Sequence, residues 1–149
     1  MKEIEKGTYR DMIDGCLTIT KSYLNMLKKN DVYDNSVIII MSDHGEGLRS
    51  NDFQRQNPIL FVKGINEKHN KMITSQKPVH FSDLGDLYKD LLHDKKSTEV
   101  FNIIPNKRTR TFLYYTFADK DSMIEYEATG KVLDKKNIRK TGNEYSIKR

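Results

Sequence analysis

The sequence predicts an α/β fold: a partial parallel sheet with flanking helices, followed by a small antiparallel β region. Three observations carry this expectation. Residues 8–29 show apolar spacing of helical period, residues 37–40 are a run of β-branched Val and Ile, and the last third breaks into short aromatic and β-branched runs separated by turn residues. A helix followed by a strand that is apolar on both faces is half of a parallel crossover unit.

In the first segment, Tyr9, Met12, Ile13, Cys16, Tyr23, Leu24 and Leu27 form one stripe, with Thr20 in the gap. Thr8 suits the N-cap, Asp11 and Asp14 the early turns, and Lys28 and Lys29 the last turn. Cys16 lies on the stripe and is expected to be a small buried residue rather than a nucleophile. As the only cysteine it can form no intrachain disulfide and no cysteine-based zinc site.

The strand expected over residues 37–40 ends at Met41-Ser42 and runs into Asp43, His44, Gly45 and Glu46. In open α/β sheets ligands bind at the carboxyl ends of strands. Asp and His suit a divalent cation, and glycine allows a tight turn beside it. Asp43 and His44 are therefore the candidate metal ligands, and the alternative is a polar loop after a core strand. Glu46, Asp52, His69, His80 and His93 are the further residues able to complete a coordination shell, which for a catalytic ion needs three or four protein ligands. His69 and His93 sit in charged segments and are expected to be solvated, and His80 is expected to serve the start of the helix that follows it.

Pro58 opens a second strand expected over residues 59–62, and Ser82-Asp83 caps a second helix carried by Leu84, Leu87, Tyr88, Leu91 and Leu92 and ending near His93. Residues 111–117, 123–127, 131–133 and 145–147 are the strands expected of the antiparallel region. The chain of 149 residues is expected to form one unit, with residues 1–104 as the α/β portion and 105–149 as the β subregion and basic tail. Residues 131–149 hold seven basic and two acidic residues, which accounts for the whole net charge of +5. Such a tail is a solvated terminus or a contact for anionic polymers or lipid headgroups; nucleic acid is not an expected partner. No apolar stretch approaches the roughly 20 residues of a membrane span, and residues 1–7 are too charged for a signal sequence. There is no Gly-x-Ser-x-Gly elbow and no phosphate-binding glycine loop.

The order of these pieces resembles the C-terminal part of the sulfatase-like proteins of the alkaline phosphatase superfamily, which include arylsulfatases, phosphoethanolamine transferases and lipoteichoic acid synthases. The resemblance spans residues 9–93 and rests on Asn-Ser-Val-Ile-Ile-Ile-Met-Ser-Asp-His-Gly-Glu (35–46), Asn-Pro-Ile-Leu-Phe-Val-Lys (57–63) and His-Phe-Ser-Asp-Leu-Gly-Asp-Leu-Tyr-Lys-Asp-Leu-Leu (80–92). It implies that Asp43 and His44 ligate one divalent ion, whether Zn, Mn, Mg or Ca, that acts on a phosphate or sulfate ester. Many relatives place a histidine between the Asp-His pair and the next strand; residues 45–57 hold none, which leans toward the single-metal phosphotransferase branch. The family's threonine, serine or modified-cysteine nucleophile lies in an N-terminal stretch without a counterpart here, and Cys16 lacks the proline and arginine that follow the modified cysteine. The resemblance thus implies a fragment or truncated copy, inactive or weak by itself, poorly soluble or associating with a complementary N-terminal chain or segment. Family members are often membrane-anchored or extracytoplasmic. The alternative, from the residues alone, is a non-enzymatic binding module whose basic tail docks on anionic polymers or lipid.

Overall fold

A computed structural model describes residues 7–45, 53–114, 122–131 and 134–146. The chain divides into two units, residues 1–36 and 37–149.

The first unit is one helix, α1 (Tyr9–Lys29). Its start is fixed by a reciprocal pair: the Asp11 backbone N–H donates to the Thr8 hydroxyl oxygen, and the Thr8 N–H donates to the Asp11 carboxylate at 2.6 Å. Its end is a Schellman turn. Asp31 takes a left-handed φ of 56°, Val32 N donates to Leu27 O, and Asp31 N donates to Lys28 O. No residue of α1 is buried, and Met12 on the expected apolar stripe is 60% exposed. Cys16, expected to be buried, is likewise exposed.

The second unit is mixed α/β with two small antiparallel sheets. Strand β1 (Ile38–Met41) pairs with β2 (Leu60–Lys63) in antiparallel register, Ile38 opposite Lys63 and Met41 opposite Leu60. The expected parallel sheet is not shown: the described residues contain no parallel pair, and the β1 residues are half-buried or exposed rather than fully buried. The connection carries no crossover helix among its described residues, and Ser42 and Ile59 close it at its base, so the chain returns directly beside β1. A β-branched run states that a strand is apolar; it does not state which neighbour pairs with it.

Helices α2 (Leu84–Leu92) and α3 (Ser97–Ile103) follow. Leu87, Leu91 and Val100 form the core, packed against Val37, Ile39, Val62 and Phe101. Val37, just before β1, and Ile39, within it, both pack on this cluster. The sequence places α2 correctly; α3, with only seven residues, is not among the elements it predicts.

The C-terminal sheet is a meander of β3 (Thr109–Tyr114), β4 (Ser122–Thr129) and β5 (Ile138–Ser146) in the order β3-β4-β5. Lys131, expected to open a strand, instead lies in the β4–β5 connection, which contains the 3-10 turn Lys135–Asn137. Residues 132–133, the rest of that expected strand, lie outside the described residues. Strand β5 accordingly starts earlier than expected and is longer. Phe112 sits opposite Tyr126, and Arg110 opposite Ala128, so these residues share the face on which Phe53 packs. Arg108, just before β3, pairs with Asp83, just before α2, which ties this sheet to the helical part. Burial raises the Asp83 carboxyl, but the Arg108 guanidinium and the His80 N–H outweigh it and hold the group below the ordinary carboxylate range.

Candidate metal centre

Asp43 and His44 follow β1 as the sequence anticipates, at the end of the strand and on the surface, with side chains 89% and 42% exposed. The loop that carries them is anchored from behind. Ser42 N donates to Ile59 O at 3.2 Å, Ile59 N donates to the Ser42 hydroxyl at 3.1 Å, and Gly45 N donates to Arg55 O at 2.9 Å. The Asp43 carboxylate accepts the His44 backbone N–H at 3.0 Å, which turns the two consecutive side chains toward each other instead of to opposite sides.

The ring of His44 is set by one bond. Its Nδ1 lies 2.7 Å from Gly45 O, and since a carbonyl only accepts, Nδ1 must carry the proton and donate it. In the neutral ring Nε2 then presents its lone pair, 3.7 Å from Asp43 Oδ2. A nitrogen lone pair and a carboxylate oxygen thus stand close enough at the surface for one cation to contact both. The residues fit a divalent ion on this count: two ligands with bonds of about 2.0–2.2 Å to one ion can span this separation. A metal-ligating histidine characteristically donates its other ring N–H to a carbonyl or carboxylate, as His44 does to Gly45 O.

No group of three or more His, Cys, Asp or Glu able to hold an ion occurs among the described residues. Glu46 and Asp52 lie outside the described residues. The other three histidines have separate roles. His80 Nδ1 accepts from Ser82 N at 3.2 Å and caps the 3-10 turn Phe81–Asp83, as expected from its position before a helix. His93 caps the end of α2 and donates from Nδ1 to Lys89 O at 2.7 Å. His69, expected to be solvated, donates from Nε2 to Glu67 at 2.9 Å and is 39% exposed.

Glu67 itself escaped sequence reasoning, hidden in a charged connection. Its side chain is 2% exposed and its carboxylate accepts from Gly64 N (2.7 Å), Ser97 N (3.2 Å), Ser97 Oγ (2.6 Å) and His69. Burial raises its pKa, but the bonds from His69, Ser97 and Gly64 outweigh it and bring the value down to about 2. Ser97 N is one of the orphan donors at the start of α3, so Glu67 caps that helix from 30 positions away in sequence. The only signal for this in the sequence is Gly64, where a Cβ would meet Glu67 Oε2 and Lys95 O, each at 3.1 Å.

Phe53 is the other residue not singled out by sequence. Its ring stands edge-on to Tyr126, Tyr114 and Phe112, with centroids 4.8, 5.2 and 5.8 Å away. Its φ of 59° is left-handed, which costs a non-glycine residue on the order of 1–2 kcal/mol. Arg110 is 7% exposed; it donates to Gly130 O, and its Nε has no partner among the described residues.

No protein-family model matches the chain, and no curated protein or solved structure matches it either. No described helix is long and apolar enough to cross a membrane.

Proposed function

We propose that this chain carries one wall of a sulfatase-like metalloenzyme that acts on phosphate or sulfate esters, with Asp43 and His44 holding one divalent ion. The supporting observation is the pair itself: a carboxylate oxygen and a histidine Nε2 lone pair face each other across 3.7 Å, and the ring is oriented by the Nδ1 bond to Gly45 O. An ion bound there would supply Lewis-acid neutralisation of the charge on the attacking and departing oxygens of an in-line displacement. Asp43 contributes negative charge to the site. The Nδ1 bond to Gly45 O orients the His44 ring, and the Gly45–Arg55 and Ser42–Ile59 bonds hold the loop that carries it.

In this reading β1 belongs to a larger, mostly parallel sheet in which β2 is an antiparallel strand, as occurs at the edges of many such sheets. No residue of the chain is assigned as nucleophile. In this reading that group comes from a complementary segment. The chain by itself is accordingly inactive or weak. Metal analysis of the purified chain tests the reading. A specific divalent ion retained by the wild type and lost from Asp43→Ala and His44→Ala supports it; equal metal content in all three proteins refutes it.

A second reading, docking on an anionic lipid surface, is favoured by Lys131, Lys135, Lys136 and Lys140. All four are exposed, and no ion pair of theirs occurs among the described residues. Flotation with anionic vesicles at low salt, abolished when these four lysines become glutamine while metal content is intact, supports that role; flotation that survives the change argues against it.

A further inference from the structure

We propose that Phe53, together with the aromatic face of the C-terminal sheet, is the positioning device for the His44 ring. This rests on the metal-site reading above and gives the β3–β5 meander a part in it.

A chain of hydrogen bonds and ring contacts runs from His44 to the C-terminal sheet. His44 Nδ1 donates to Gly45 O, and Gly45 N donates to Arg55 O at 2.9 Å. Arg55 is the middle residue of the 3-10 turn Gln54–Gln56, which is closed by Gln56 N donating to Phe53 O at 3.1 Å. Phe53 is held in turn by the rings of Phe112, Tyr114 and Tyr126. The orientation of the metal-facing Nε2 is therefore linked, bond by bond, to a cluster of aromatic side chains on β3 and β4. Edge-on ring pairs have a preferred geometry as well as buried area, so the cluster fixes a direction and not only a depth.

The backbone of Phe53 supports the same conclusion. A bulky residue at a φ of 59° occupies a conformation that L side chains rarely adopt, and it stays there only when its surroundings over-determine it. Three rings around one side chain supply that constraint. With the ring contacts gone, Phe53 is free to leave the left-handed region, the turn bearing Arg55 O shifts, and the Gly45 N–H loses the acceptor that fixes the His44–Gly45 peptide; the Gly45 carbonyl, in the next peptide unit, is then no longer held against the ring by that anchor. The His44 ring then has no reason to prefer the Nδ1–H tautomer. The group that takes the other ring N–H of a metal-ligating histidine typically affects metal affinity by about 10-fold or more, and Gly45 O has that place here.

The experiment uses the full chain in two states. In metal-free protein, at a pH where the ring is neutral, imidazole 15N NMR should find His44 as the Nδ1–H tautomer in wild type and in Phe53→Tyr, and as a tautomer mixture in Phe53→Leu. With Zn2+ as the probe, affinity should fall about tenfold in Phe53→Leu and be retained in Phe53→Tyr. The ring signals of His69, His80 and His93 report that the rest of the fold is unchanged. Should Phe53→Leu lose those signals, Tyr126→Leu, which removes the nearest ring without altering the loop, is read in its place. An unchanged His44 tautomer and unchanged Zn2+ affinity would overturn the proposal. A wild type that binds no Zn2+ refutes the metal-site reading alone, because the tautomer in metal-free protein still decides whether Phe53 positions the ring.

Discussion

Two carboxylate–histidine pairs follow the two strands of the first sheet, and they are built in opposite ways. Glu67 and His69, after β2, lie 2.9 Å apart around a carboxylate that is 2% exposed and also accepts from Gly64 N, Ser97 N and Ser97 Oγ. Asp43 and His44, after β1, lie 3.7 Å apart, with the carboxylate 89% exposed and bonded only to the neighbouring backbone N–H among the described residues. The first carboxylate is surrounded by donors inside the protein and has no capacity to spare; the second has its lone pairs facing outward and toward another acceptor. A saturated pair holds structure, whereas an unsaturated one is available to a ligand. Composition alone ranks these two pairs equally.

The contrast can be broken at several points. The largest effect is expected at Glu67. Glu67→Ala strands four donors, among them Ser97 N at the head of α3, and should lower unfolding free energy by about 3 kcal/mol in urea titration. Binding at Asp43 and His44 should survive under folding conditions. Acid gives the same information without a mutation. Glu67 has a folded pKa of about 2 against an ordinary 4.5, so the stability it contributes is fully present above about pH 4.5 and is lost as pH falls toward 2. The urea midpoints of wild type and Glu67→Gln should therefore converge across that window; a constant difference would mean that the ionised carboxylate is not the source.

Gly64→Ala is expected to cost about 1–2 kcal/mol, because its Cβ would meet Glu67 Oε2 and Lys95 O, both at 3.1 Å, and only the carboxylate can yield. The smallest effect is expected at the unsaturated pair. Asp43→Ala and His44→Ala should each change stability by no more than about 0.5 kcal/mol, as substitutions of exposed groups do. A loss of several times that amount would show that Asp43 or His44 is structural after all.

Much of the molecule is legible in its sequence where the determinants are local. The ends of α1 follow from Thr8, Asp11, Lys28 and Lys29, and α2 follows from the spacing of Leu84, Leu87 and Leu91. The placing of Asp43 and His44 at a strand end follows from the abrupt stop of the β-branched run. What escapes is set by partners distant in the chain. The antiparallel pairing of β1 with β2 is closed by Ser42 and Ile59, 17 positions apart, and the start of α3 takes a cap from Glu67 besides the local one from Glu99. The burial of Glu67 depends on Ser97, 30 positions on, and the role of Phe53 depends on rings more than 50 positions away. Cys16 shows the converse: the helical period identifies its stripe correctly but not whether anything covers it.

The central claim is that Nε2 of His44 and the carboxylate of Asp43 take one divalent ion. It is tested most directly by following the four histidine rings by 15N NMR while Zn2+ is added to the chain. The account predicts that His44 Nε2 alone shifts, with Nδ1 still protonated toward Gly45 O, and that the shift is absent in Asp43→Ala. A response at His69, His80 or His93 in place of His44, or no response at His44 at saturating Zn2+, would contradict it.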